Sequence, residues 1–133
     1  MLLVIDVGNT HFTLGLYDGE TLKATFRMTA KQPRTSDEYG IQLCGLLEHR
    51  DFNVKEVDAV IISSVVPDIM HSLGSAIIKY FGVKPYIPTT LDMGLKINTE
   101  HPKEVGPDRI VDAVAAYEIY GGPVIVIDYG TAT

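Results

Sequence analysis

Apolar residues recur along this chain in two rhythms, one of strands and one of helices. Residues 2–7, Leu-Leu-Val-Ile-Asp-Val, are almost continuously apolar and rich in β-branched side chains. They predict a strand buried on both faces and central in a sheet. From 11 to 17, Phe12, Leu14 and Leu16 alternate with His11, Thr13, Gly15 and Tyr17, the period of a half-buried strand. Asp18-Gly19 predicts a two-residue hairpin loop. Leu22, Ala24, Phe26 and Met28 then alternate with Lys23, Thr25 and Arg27 in a third strand. A polar connection over 29–34 leads to Thr35-Ser36-Asp37-Glu38, which has the form of a capping box. The helix it opens puts Tyr39, Leu43, Leu46 and Leu47 on one stripe and ends near His49 to Asp51. Residues 57–66 read as a buried strand, apolar except for Asp58 and two serines. Pro67 suits the first helical position. Ile69, Leu73, Ile77 and Tyr80 space a helix that stops at Gly82. Residues 85–88 predict a short strand between prolines, and 89–106 a long irregular segment. Such a loop in a compact domain is more often functional than idle. A helix from Pro107 carries Ile110, Val114 and Tyr117 on one face, Gly121-Gly122-Pro123 ends it, and 124–128 forms the last strand.

The order βββ-α-β-α-β-α-β predicts an α/β fold, a mixed sheet flanked by helices. Its last strand repeats its first. Val4-Ile5-Asp6-Val7-Gly8-Asn9-Thr10 and Val126-Ile127-Asp128-Tyr129-Gly130-Thr131-Ala132 each deliver an aspartate from an apolar run into a turn with glycine and hydroxyl or amide side chains. Two such copies suggest a duplicated fold that grips a nucleotide between its halves. Residues 1–122 are therefore expected to form a first domain and 123–133 to open a second. As the second copy stops at Thr133, the chain is expected to be an incomplete molecule.

Composition narrows the class of function. The 133 residues can bury a core of their own. A net charge of −6 and a pI near 5.0 argue against a sequence-independent nucleic-acid surface or an anionic-membrane surface, both of which need clustered Lys and Arg. No apolar run approaches the roughly 20 residues of a membrane span, and the opening residues lack a signal peptide's basic region and cleavage site. Cys44 is the sole cysteine; it excludes an internal disulfide and fits a reducing cytoplasm.

Two constellations carry candidate chemistry. Asp6 with Gly8-Asn9-Thr10 has the makings of a phosphate-binding hairpin. Main-chain N–H groups and the Thr10 hydroxyl would hold phosphate oxygens, and Asp6 would hold magnesium directly or through water. Its glycine serves either a turn at positive φ or a close approach to a ligand. Alone, the same residues make an ordinary Asp-capped turn; the second copy around Asp128 favours the phosphate reading. In Gly106-Pro107-Asp108-Arg109, a carboxylate and a guanidinium share a helix start. Asp108 can take a proton from an attacking hydroxyl as general base, and Arg109 can clamp a carboxylate. Pro and Asp also favour a first helical turn for capping reasons alone. Asp112, one turn on, reads as a solvated partner of Arg109. The four histidines lack ligand spacing, so no zinc site is expected. Walker, Gly-x-Gly-x-x-Gly and Gly-x-Ser-x-Gly motifs are absent.

Asp6-Val7-Gly8-Asn9-Thr10, Glu104-Val105-Gly106-Pro107-Asp108-Arg109 and Asp128-Tyr129-Gly130-Thr131-Ala132-Thr133 resemble, in order, the three motifs of type III pantothenate kinases. The resemblance runs the length of the chain and implies the ribonuclease H-like, actin-like ATPase fold of the acetate and sugar kinase/Hsp70/actin superfamily. It implies transfer of the ATP γ-phosphoryl group to the primary hydroxyl of pantothenate, the first step toward coenzyme A. ATP phosphates and magnesium would be held by Asp6, Val7, Gly8, Asn9, Thr10, His11, Phe12 and Thr13, with Thr131 also contacting ATP. Gly106, Pro107, Asp108 and Arg109 would hold pantothenate, with Asp108 as proton acceptor. Asp128 would help bind a monovalent cation, potassium or ammonium. A cytoplasmic homodimer is implied as well.

This chain departs from the family pattern at three places. Thr99 stands where an aromatic residue often contributes to the substrate site, His101 where asparagine is common, and Tyr129 where phenylalanine is usual. Family members continue for roughly another hundred residues. Since phosphoryl transfer relies on both walls of a cleft, residues 1–133 alone are expected to show little kinase activity and to self-associate through apolar residues 124–127. Two alternatives stand beside this reading. One is another small-molecule kinase of the superfamily, or a polyphosphate hydrolase, against which the Gly-Pro-Asp-Arg loop argues. The other is a non-catalytic nucleotide-binding relative, against which the retained Asp6 and Asp108 argue.

Overall fold

The alternation over residues 2–29 becomes three consecutive antiparallel strands, β1 (Leu2–Val7), β2 (His11–Asp18) and β3 (Thr21–Thr29), in a computed structural model that describes residues 1–89 and 93–129. The loop between β2 and β3 is Gly19-Glu20, one residue later than expected, because Asp18 pairs with Thr21. Gly19 takes the positive φ that the first central position of such a loop requires (φ 57°). β4 (Ala59–Ser64) runs parallel to β1, and the sheet order is β3-β2-β1-β4. β1 is therefore central, as its unbroken apolar run implies. β4 is shorter than the 57–66 expected: a 3-10 turn at Val54–Glu56 precedes it, and the ladder ends at Ser64, paired with Val7, whose side chain bonds Val66 in the turn that follows.

Two helices cover one face of this sheet. α1 (Ser36–Glu48) begins with the expected capping box, the Thr35 side chain accepting from the Glu38 N–H and the Glu38 carboxylate accepting from the Thr35 N–H at 2.8 Å. α2 (Pro67–Phe81) starts on Pro67 and stops where Gly82 turns left-handed (φ 72°). Leu3, Ile5 and Val7 of β1, Phe12, Leu14 and Leu16 of β2 and Val60 and Ile62 of β4 are buried in one cluster with helix residues. The helices contribute Tyr39, Leu43 and Leu47 from α1 and Ile69, Leu73, Ala76, Ile77 and Phe81 from α2. Phe12 stacks on Tyr39 with ring centroids 5.6 Å apart. The period-two and period-3.6 stripes thus meet in one core, which is what makes both patterns stable.

The chain folds as two compact units, Met1–Ile87 and Pro88–Thr133. The first holds the sheet, α1 and α2. The strand expected over 85–88 is reduced to one parallel bridge, Ile61 to Tyr86, with Ile62 N–H donating to the Tyr86 carbonyl and Tyr86 N–H to that of Val60. Buried Pro85 and Pro88 flank it; lacking N–H groups, they cannot extend a ladder.

In the second unit a 3-10 turn, Pro102–Glu104, interrupts the expected irregular segment, and α3 (Pro107–Tyr120) ends at Gly121. Its expected apolar face is only partly buried. Ile110 is 3% exposed, Val114 half-buried and Tyr117 58% exposed. The strand expected over 124–128 is absent: these residues belong to no ladder, and Ile125 is 87% exposed. An apolar run becomes a strand only when another strand satisfies its backbone groups, and no described residue does so here. Gly130, Thr131, Ala132 and Thr133, including the Thr131 contact expected with ATP, lie outside the described residues.

Candidate functional site

The first constellation sits at the carboxyl end of the central strand, where open α/β sheets bind ligands. Asp6 is the penultimate residue of β1, on the face opposite Leu3, Ile5 and Val7, and it is exposed. The turn after it, Gly8-Asn9-Thr10, is held from three sides by main-chain bonds. Gly8 N–H donates to the His11 carbonyl at 3.0 Å, Ala30 N–H to that of Thr10 at 2.9 Å, and Val65 N–H to that of Val7 at 3.1 Å. Gly8 is not at positive φ; a Cβ there would lie 3.3 Å from the His11 carbonyl oxygen, so closeness is what its lack of a side chain serves. Val7 and Phe12 are buried below the turn, while Asn9, His11 and Thr13 are exposed and Thr10 half-buried.

Strand register then places a polar row across the sheet. Asp6 pairs with Thr13 on β2, Thr13 with Arg27 on β3, and Asp6 with Ser63 on β4. Register partners share a face, so these four side chains line one side of the sheet. The row was not foreseen from the sequence, because register is a tertiary fact. All its oxygen ligands are hard, which suits magnesium. Magnesium takes one or two carboxylates and completes its shell with water and phosphate oxygens. A single Asp6 therefore fits, and among the described residues no group of three or more His, Cys, Asp or Glu converges on a metal position.

The second constellation opens α3. Gly106 is its N-cap, and with no side chain it leaves the first N–H groups uncapped. Pro107 begins the helix, and Asp108 Oδ1 is buried with no hydrogen-bond partner among the described residues. Arg109 and Asp112 line a cavity of about 450 Å³ with Ala113, Val124, Val126, Ile127 and Asp128. That volume lies within the range of small-molecule sites. Burial, then the charges of Asp128 and Asp108, push the Asp112 carboxyl above the usual carboxylate range. Asp112 is exposed, as expected from sequence, but no ion pair joins it to Arg109 among the described residues. The signal for its place was present, since residues four apart share a helix face. Thr99 lies in an exposed bend and is not among the cavity's lining residues.

Comparison with known proteins bears on the same residues. The profile of the type III pantothenate kinase family matches residues 2–133. A type III pantothenate kinase of Agathobacter rectalis is 55% identical over 134 aligned positions; the match covers 100% of this chain and 52% of that protein. The chain thus spans about half the length of this curated relative. Two solved structures share the fold. A Porphyromonas gingivalis protein, described provisionally as an N-acetylglucosamine kinase, is 16% identical with a TM-score of 0.50, over 65% of this chain and 33% of its own. A Bacteroides thetaiotaomicron protein with an actin-like ATPase fold and unknown function is 15% identical with a TM-score of 0.51, over 69% and 35%. The four-stranded mixed sheet flanked by helices has this actin-like, ribonuclease H-like architecture. No described helix is long and apolar enough to cross a membrane.

Proposed function

Because the chain belongs to the type III pantothenate kinase family, we propose that the protein containing it transfers the γ-phosphoryl group of ATP to the primary hydroxyl of pantothenate, yielding 4′-phosphopantothenate and ADP. One observation carries the reading beyond family membership: Asp108 offers a buried acceptor oxygen with no donor among the described residues, beside Arg109 and at a helix start. An acceptor left unsatisfied is destabilising unless something else fills it. The hydroxyl of the substrate is such a donor.

In this reading Arg109 and the α3 N–H groups, with Gly106 and Pro107, hold the pantothenate carboxylate, and Thr99 borders it. Asp108 accepts the hydroxyl proton as the oxygen attacks the γ-phosphorus. The bond from that phosphorus to the bridging oxygen breaks, and ADP carries the electron pair away. Residues 6–13 cradle the ATP phosphates, and Thr131 adds a contact. Asp6 would hold magnesium, which would offset phosphate charge, and Asp128 would help hold a monovalent cation. The division into a domain over 1–122 and a second one opening at 123, the homodimer and a cytoplasmic location complete the proposal. The test is pantothenate-dependent ADP release by the intact protein. Asp108→Asn should lower kcat by about 10²- to 10⁴-fold, the usual worth of a general base, while ATP still binds. Full activity in that variant would remove Asp108 from the reaction, and absence of pantothenate-dependent turnover in the wild type would remove the reaction itself.

A further inference from the structure

Ser63 and Ser64 end β4 side by side, yet the structure employs only one of them. The Ser64 hydroxyl accepts from Val66 N–H at 3.0 Å and donates to the Val66 carbonyl at 3.2 Å, forming the turn into α2. Ser63 Oγ is buried and has no partner among the described residues. A buried hydroxyl without a partner costs stability, and alanine would fit the same strand position without that cost. Packing does not account for a serine here. Its neighbour does: Ser63 is the register partner of Asp6 on the parallel strand, so both side chains stand on the same face at the carboxyl end of the sheet. Val65 N–H, two residues on, donates to the Val7 carbonyl and ties the β4–α2 turn to the β1–β2 turn. The hydroxyl therefore sits on a rigid support beside the carboxylate that the proposed reaction assigns to magnesium.

Resting on that reading of Asp6, we propose that Ser63 is a positioning residue for nucleotide-bound magnesium: its hydroxyl and the Asp6 carboxylate together hold the ion's ordered water. Magnesium keeps several waters when it binds a nucleotide, and water-bridged bonds are nearly as good as direct ones. This role acts on the metal-bearing nucleotide and not on the fold, which makes it separable. In the intact protein, Ser63→Ala should raise the Kd of Mg·ATP, read by titration calorimetry, by roughly tenfold, the lower end for a hydrogen bond to a charged group. The Kd of ATP in EDTA should stay unchanged, and the Tm should stay level or rise. Ser63→Thr, which keeps the hydroxyl on a β-branched residue, should restore Mg·ATP binding. Wild-type affinity for Mg·ATP in Ser63→Ala would overturn the inference, as would equal loss with and without magnesium accompanied by a lower Tm. If the wild type binds no ATP under either condition, the nucleotide reading of Asp6 falls as well, which distinguishes the two failures.

Discussion

The contact between α1 and α2 turns on one missing side chain. A Cβ built on Gly40 would lie 2.1 Å from Cδ2, 2.4 Å from Cε2 and 2.5 Å from Cγ of Tyr80. No real contact is that short, and Cγ is at the base of the ring, so a small rotation cannot clear it. Gly40→Ala must either part the helices or swing Tyr80 out. The second route gives up the 2.8 Å bond from the Tyr80 hydroxyl to Asp37 and the packing of a ring that lies against the core. Overpacking of this kind costs about 1–3 kcal/mol. Alanine returns up to ~1 kcal/mol through its helix propensity relative to glycine. The expected net loss is about 1–2 kcal/mol, or a Tm lower by roughly 4–8 °C for a chain of this size. Urea unfolding followed by circular dichroism, with Tyr80→Ala and the double variant alongside, measures it. Tyr80→Ala clears the space, so Gly40→Ala should become neutral or stabilising in that background, with a coupling of at least ~1 kcal/mol between the sites. If Gly40→Ala is as stable as the wild type, or if the two effects add, the helix contact does not depend on this glycine.

Two further outcomes concern pH. Lys79 and the Tyr80 hydroxyl, bonded to Asp37, hold its carboxyl below the ordinary carboxylate value of 3.8. A depressed acid contributes stability above its unfolded pKa and loses it as pH falls through the folded value. Asp37→Asn should therefore flatten the fall of Tm below about pH 4; an unchanged acid limb would show the pair to be energetically silent, as exposed pairs often are. Asp112 has the opposite sign. Burial and the charges of Asp128 and Asp108 raise its carboxyl, so its stabilising contribution is present at low pH and lost as pH rises. Asp112→Asn should raise Tm at pH 7 and leave it unchanged at pH 3, by a small amount because the residue is more than a third exposed. A lower Tm at pH 7 would mean that the carboxylate is paired and not crowded.

Much of this protein is legible in its residue pattern, because much of it is decided locally. The Thr35 to Glu38 capping box, Pro67 at a helix start and Gly82 at its end are chemistry within a few residues, and all three form as the sequence implies. The alternation of β2 and β3 and the unbroken run of β1 likewise state which faces are buried. Asp6, Asp108 and Arg109 could be singled out because carboxylate and guanidinium at strand and helix ends suit phosphate and carboxylate chemistry. What depends on a partner could not be read. Residues 124–128 have a strand's composition and no strand beside them among the described residues, and 85–88 keep a single bridge. That Ser63 stands next to Asp6, that Gly40 makes room for Tyr80, and that Asp112 shares its surroundings with Asp128 follow from register and packing between segments distant in the chain. Periodicity tells a residue which face it occupies; only the assembled sheet and helices tell it what lies across from it.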